Sequence, residues 1–380
     1  MSSASSPAPE STPSAPRAEE GREDEPAGTA DPLAGCLDGL RILDLTRLLP
    51  GPLAARHLAE WGAEVLKIDD PGAGDPARHM LKSGADWKAG RDSEFYREVN
   101  RGKQERRIDL RSDAGRAELL DLVDTADALI EGFRPGVLAR LALGWDVLHA
   151  RNPRLVLASI TGYGQHGPYA QRAGHDINYI ALSGVLSQIG TVDGELVLPN
   201  FQIADLLGGT LAGTSGLLAA LLCAQRTGRG RHVDISMTRE VWRHAVVARA
   251  EGAAFRAATG STPGPGTSLL NGGSACYGVY KTADGRHLAV GALEAKFWTA
   301  FCAAISRPDW AIRHWSAGEL PGSPAARQTR ADLAALLAQR PADHWLSLTD
   351  PADCCVSLVL RLDEVESHEW MRSGIATARA

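Results

Sequence analysis

The chain has 380 residues, 44% of them hydrophobic and 23% charged, with a formal net charge of −6. That length buries a large core and suits two domains, while the acidic balance argues against general nucleic-acid or membrane-surface binding, so positive charge for a polyanionic ligand has to be local. Six cysteines, Cys36, Cys223, Cys276, Cys302, Cys354 and Cys355, lack zinc-ligand spacing and read as reduced thiols, because a chain of this length needs no disulfide framework.

Residues 1–36 are rich in Ser, Pro, Ala and Glu and hold almost no large apolar side chains. Such a segment cannot bury enough surface to offset the entropy of ordering, so it is expected to be a disordered tail; it has no basic start or apolar run of a secretory signal, and the expected location is cytoplasmic. Order is expected to begin at Leu40-Arg41-Ile42-Leu43-Asp44-Leu45, an apolar run that reads as a buried strand. The turn Pro50-Gly51-Pro52, a helix through Leu53 and Leu58, and a strand over 63–68 complete a β-α-β unit. Its turn lies at a strand's carboxyl end, where open parallel sheets bind ligands, yet no Gly-x-Gly-x-x-Gly or Walker pattern is present.

Residues 70–98, rich in Gly, Asp and Ser, read as a long surface connection. A basic cluster follows, Arg101, Lys103, Arg106, Arg107 and Arg111, compatible with a solvated strand edge or with phosphate contacts. A helix over 113–125 and a strand at Ala128-Leu129-Ile130 lead to Glu131-Gly132-Phe133-Arg134-Pro135-Gly136 and on to Arg140.

The next strand, 155–160, feeds the loop Thr161-Gly162-Tyr163-Gly164-Gln165-His166-Gly167-Pro168 and then Gly174-His175-Asp176-Ile177-Asn178-Tyr179. His175-Asp176 can open a helix, with backbone N–H groups aimed at a ligand. Asp205, 30 residues beyond His175, precedes Leu206-Leu207-Gly208-Gly209 at a second plausible helix start. Taken singly, His175 suits a surface or core histidine and Asp205 a helix cap. Together, an imidazole and a carboxylate at two Gly-flanked turns suit proton transfer at one carbon from two sides.

The apolar run 211–224 is interrupted by Gly213 and Gly216 and is short for a membrane span, so it reads as a buried helix. A strand over 231–236, a long helix from about Thr238 and a Pro/Gly/Ser loop at 260–273 mark the approach to a second domain. There, 275–280 and 287–290 read as a hairpin about Ala283-Asp284-Gly285, and Glu294 precedes a helix with Phe297, Trp298 and Phe301 that it could cap. Helices near 329–339 and 343–348 and a strand over 355–360 follow.

The phrase Ala173-Gly174-His175-Asp176-Ile177-Asn178-Tyr179, the loop before it and Asp205 at this separation resemble the α-methylacyl-CoA racemases of the class III CoA-transferase (CaiB/BaiF) superfamily. The resemblance spans about residues 39–363. It implies an α/β architecture: a large Rossmann-like parallel-sheet domain and a small α+β domain, in an interlocked homodimer. The expected divisions are a tail over 1–36, a large CoA-binding domain over 37–240, a linker over 241–270, a small domain over 271–363 and a C-terminal tail over 364–380.

The resemblance further implies that Arg107, Arg111, Arg134 and Arg140 contact the phosphates and adenine of coenzyme A. It also implies that Glu294 pairs with the catalytic His175 of the other subunit. One departure is Asp69-Asp70-Pro71, where family members carry a basic or neutral residue before Pro; a carboxylate repels a polyphosphate, so Asp70 is left out of the binding set. Another is the end at Ala380, where family members normally continue back to the large domain, so the family's domain closure is not carried over to this chain.

The activity implied first is racemisation of 2-methylacyl-CoA thioesters, with His175 and Asp205 on opposite faces of the α-carbon and the backbone N–H of Asp176 on the enolate oxygen. No metal, flavin or pyridoxal phosphate is called for, coenzyme A being part of the substrate. An alternative is CoA transfer between carboxylic acids, with Asp205 as nucleophile. A further alternative is a non-catalytic acyl-CoA-binding protein.

Overall fold

The computed structural model describes residues 32–369 and Met371, so nearly all of the expected N-terminal tail and most of residues 364–380 lie outside the described residues. One compact unit spans Leu33–Arg361. Beyond it, Leu362–Val365 form a single helical turn.

Six strands make an all-parallel sheet: β1 Arg41–Asp44, β2 Glu64–Asp69, β3 Gln104–Arg107, β4 Ala128–Glu131, β5 Val156–Thr161 and β6 His232–Ser236. Their order is β3-β2-β1-β4-β5-β6. β4 and β5 are buried at every position, as strands covered on both faces must be, whereas every residue of edge strand β3 is exposed. One face packs on the Pro50–Glu60 and Ala212–Thr227 helices through Ala55, Leu58, Leu217 and Leu221. The other packs Leu119, Val123 and Leu148. Strand order reverses between β1 and β4, and the chains leaving their carboxyl ends diverge there to open a crevice.

A smaller antiparallel sheet, β7 Tyr277–Lys281, β8 His287–Gly291 and β9 Val356–Leu358, contributes to a separate buried core with Trp298, Phe301, Trp310 and Trp345. The hairpin turns about Asp284-Gly285, Gly285 taking φ +79°.

Four expectations need correction. Residues 70–98 are not a plain surface connection: they hold a 3₁₀ turn, Pro76–Arg78, and two short helices, Gly84–Ala89 and Glu94–Asn100. Ser83 and Ser93 cap those helices by accepting from the Asp86 and Tyr96 N–H groups, and Asp75, Arg78 and Asp86 are buried as hydrogen-bonded ions. Composition hid this because several of the side chains the segment buries are charged and paired, and no run of apolar residues marks it. The helix from Thr238 is two, Met237–His244 and Val246–Thr259, broken at Ala245 where ψ turns to 41°. The helix expected near 329–339 runs over Pro324–Leu337, starting five residues before the expected Thr329, because Ser323 caps it by accepting from Ala326 N–H.

Finally, the apolar run 211–224 is the middle of a longer helical stretch, Ala204–Thr227, with a π-helical start over Ala204–Leu211. By length and composition it is the one described helix apolar enough to cross a membrane, and its Leu217, Ala220, Leu221 and Ala224 are buried in the main core.

Candidate active site

Three loops leave the carboxyl ends of β1, β4 and β5 and enclose a cavity of about 510 Å³. Thr46, Arg47, Leu48, Pro50 and Gly51 come from the first, and Gly132, Phe133, Arg134 and Pro135 from the second. The third supplies Gly162, Tyr163, Arg172, Gly174, His175, Asn178 and Tyr179; Asp205 and Met237 also line it. The cavity therefore lies at the switch point of the sheet.

His175 is the N-cap residue of the Asp176–Leu182 helix. Its N–H donates to Asn178 Oδ1 at 3.0 Å, and its carbonyl accepts from the Asn178 N–H at 2.8 Å, so Asn178 sets the backbone from which the exposed imidazole projects. Tyr179, buried beneath, donates its hydroxyl hydrogen to the Gly174 carbonyl and meets Tyr163 edge-on at 5.2 Å.

Asp205 sits in the first turn of the π-helix, a geometry that recurs at functional sites. The wide turn lets Gly208 reach the Met237 backbone: a Cβ there would lie 2.6 Å from the Met237 carbonyl oxygen. Asp176 ties the two turns together. Its Oδ1 accepts from the N–H of Ala204 at 2.6 Å and of Asp205 at 3.0 Å. Burial pushes the Asp205 carboxyl up to about 7, and the negative Asp176 beside it adds to the rise.

Of the expected CoA arginines, Arg134 lines the cavity. Arg107, Arg111 and Arg140 are not among its lining residues; Arg107 Nη1 donates to the Pro71 carbonyl at 3.3 Å, and Arg140 ends a short helix, Val137–Arg140. Arg111 pairs with Asp109 at 3.1 Å and with Asp70 at 3.3 Å, so the acid left out of the binding set is held by an arginine placed in it. Glu294 is exposed at the N-cap of the Ala295–Ala304 helix, makes no side-chain cap bond and lies outside this cavity.

Arg47, Arg172 and Tyr163 were not singled out from sequence although they line the cavity. Arg47 had a signal, its place between a strand end and the Pro50-Gly51-Pro52 turn. Beneath Arg134 lies a polar cluster. Glu131 Oε2 accepts from the Phe133 N–H at 2.6 Å, Ser159 Oγ meets His232 Nε2 at 2.9 Å, and burial raises the Glu131 carboxyl to about 7.

Residues 37–378 match the model of CoA-transferase family III. The chain is 33% identical over 343 residues to the α-methylacyl-CoA racemase of Homo sapiens, covering 88% of this chain and 80% of that one. It is 31% identical over 334 residues to the acetyl-CoA:oxalate CoA-transferase of Acetobacter aceti, covering 87% and 82%. A crystal structure of a CaiB/BaiF family protein from Brucella suis superposes with a TM-score of 0.73 at 26% identity, covering 89% of this chain and 87% of that one.

Proposed function

The chain belongs to CoA-transferase family III, and on that premise we propose that it interconverts the 2R and 2S forms of a 2-methylacyl-CoA thioester. The observation that carries this reading is His175 and Asp205 lining one cavity, with the Asp205 carboxyl at about 7. The thioester carbonyl acidifies the α-hydrogen. One group removes that proton from one face while the other, protonated, delivers one to the opposite face. A carboxyl near 7 serves either direction without a large mismatch to neutral pH. In this scheme the Asp176 N–H donates to the enolate oxygen and the Asp176 carboxylate holds the Asp205 turn. Arg134 contacts the diphosphate.

The proposed unit is an interlocked homodimer. Glu294 stands outside the cavity of its own chain, so the partner's Glu294 would orient His175 and favour its imidazolium.

CoA transfer between carboxylic acids is the second reading, favoured by the Asp205 carboxylate in the cavity and by similarity to the A. aceti transferase. There Asp205 attacks the acyl-CoA and releases CoA thiolate to form a mixed anhydride, the thiolate returns to give an aspartyl-CoA thioester and the free donor acid, and the acceptor acid takes up CoA by the reverse steps. Incubating each stereoisomer in heavy water without an acceptor acid separates the two. Racemisation exchanges the α-hydrogen of both isomers without any acid; no exchange, with CoA passing to a carboxylic acid once one is added, supports transfer.

A further inference from the structure

Beneath the β1 turn lies a buried set of charges that neither reading uses. Asp44, Lys67 and Asp75 are fully buried. Lys67 Nζ donates to the Thr46 carbonyl at 2.8 Å and to Asp75 Oδ2 at 3.1 Å. Asp75 in turn accepts from the Leu48 N–H, at 3.0 Å on Oδ1 and 3.2 Å on Oδ2. The pair therefore grips the chain on both sides of one residue, Arg47.

Leu48, the far side of that grip, takes φ +67°, a left-handed backbone that a leucine adopts only when its surroundings impose it. Removing the Asp75 acceptor would free Leu48 to return to a right-handed or extended conformation, and the Arg47 side chain would swing with it. Arg47 itself is exposed, lines the cavity and has its guanidinium carbon 6.0 Å from the Phe133 ring centroid. Among the described residues no carboxylate pairs with it.

A buried ion pair is a costly way to hold a turn, since both charges lose hydration. The Asp44, Asp75 and Asp69 carboxylates nevertheless keep the Lys67 ammonium charged against the burial that opposes it. Lys103, with its Nζ 2.8 Å from Asp44 Oδ2 and 2.7 Å from the Pro52 carbonyl, ties the other end of the same turn. A planar guanidinium held between a strand end and a helix start suits an oxyanion, either a phosphate or a carboxylate.

We propose that Lys67 and Asp75 are positioning residues that hold Arg47 in the cavity, through the left-handed backbone of Leu48, as a contact for an oxyanion of the substrate. This rests on the CoA-thioester reading of the cavity.

Calorimetric titration with a 2-methylacyl-CoA tests it in wild type, Arg47→Ala, Asp75→Ala, which removes the acceptor, the Arg47/Asp75 double variant, Leu48→Gly and Leu48→Gly with Asp75→Ala. Arg47→Ala and Asp75→Ala should each raise Kd about tenfold, and the double variant should bind no worse than Arg47→Ala alone, because Asp75 acts through Arg47. Glycine accepts the left-handed backbone without Asp75, so Leu48→Gly with Asp75→Ala should come within about threefold of Leu48→Gly alone. A merely structural Asp75 predicts otherwise: effects that multiply to about a hundredfold in the double variant, or no recovery with glycine, overturn the proposal. An unchanged Kd in Arg47→Ala overturns it alone, whether or not Asp75→Ala folds.

The source of the oxyanion follows from pantetheine thioesters, which lack the phosphates. Loss of the Arg47→Ala effect with 2-methylacyl-pantetheine assigns a phosphate; an effect that appears with a dicarboxylic acyl-pantetheine assigns an acyl carboxylate. Wild type that binds the thioester without exchanging its α-hydrogen sinks the racemase reading and leaves this proposal standing. Wild type that binds no CoA thioester sinks both.

Discussion

The Asp176 carboxylate accepts the backbone N–H of Asp205 at 3.0 Å, so the residue next to His175 in sequence fixes the turn that carries Asp205, the second acid/base group of the proposed reaction. The same carboxylate places a negative charge beside Asp205 and helps raise its pKa. One side chain thus fixes the Asp205 turn and adds to a proton affinity raised mainly by burial, and the two effects separate by substitution.

Asp176→Asn keeps an amide oxygen as acceptor but removes the charge, so the Asp205 carboxyl should titrate below its wild-type value of about 7. The pH profile of kcat/KM for α-hydrogen exchange should show its limb moved to lower pH. Asp176→Ala removes the acceptor as well and should lower kcat by about 10- to 100-fold with Kd for the thioester within about twofold. An unmoved limb in Asp176→Asn would show that the like charge is unimportant.

Asp205 also carries a cost in stability. Its folded pKa lies above the ordinary 3.8, so the native state holds the extra proton; the destabilisation is absent below 3.8, grows as pH rises and is complete above about 7. Asp205→Asn should therefore raise Tm at pH 8, on the order of 2–4 °C after discounting for the partial exposure of the group, and leave Tm nearly unchanged at pH 4. Thermal unfolding at the two pH values checks this.

His175→Ala should abolish net inversion of both stereoisomers, since neither direction can complete two proton transfers, while CoA-thioester Kd changes by less than about threefold. Mass spectrometry of wild type incubated with substrate should find no acyl or CoA adduct on Asp205. A hydroxylamine-sensitive adduct there, with turnover surviving in His175→Ala, would move the chain to the transferases.

Among the four arginines, Arg134→Ala should raise the thioester KM most, about tenfold or more with kcat little changed, because it alone of the four lines the cavity. Arg111→Ala should cost less, its charge being shared with Asp70 and Asp109. If a CoA phosphate approaches that edge, Asp70→Asn should lower KM. Steady-state kinetics on the three variants tests the ranking, and an Arg111 effect exceeding that of Arg134 would reverse it.

Much of this protein could be read from local pattern. The buried runs at β1, β4 and β5 are apolar because both faces are covered, and that alone identifies central strands of a parallel sheet. The Gly174-His175-Asp176 phrase and Asp205 could be named because both sit at turns after apolar segments. What local pattern could not contain is which carboxylate meets which backbone N–H across 29 residues, as with Asp176 and Asp205, or that a segment rich in Gly and Asp folds inward to place Asp75 against Leu48. Those contacts stabilise only after the sheet has brought the strand ends together. Nor could it reveal that Arg47, whose one cue was its place before the Pro50-Gly51-Pro52 turn, lines the cavity, nor the pairing that occupies Arg111. Apolar periodicity acts over neighbouring residues and is legible one element at a time; hydrogen bonds and charge pairs act at a few ångströms in space, so only the tertiary structure decides them.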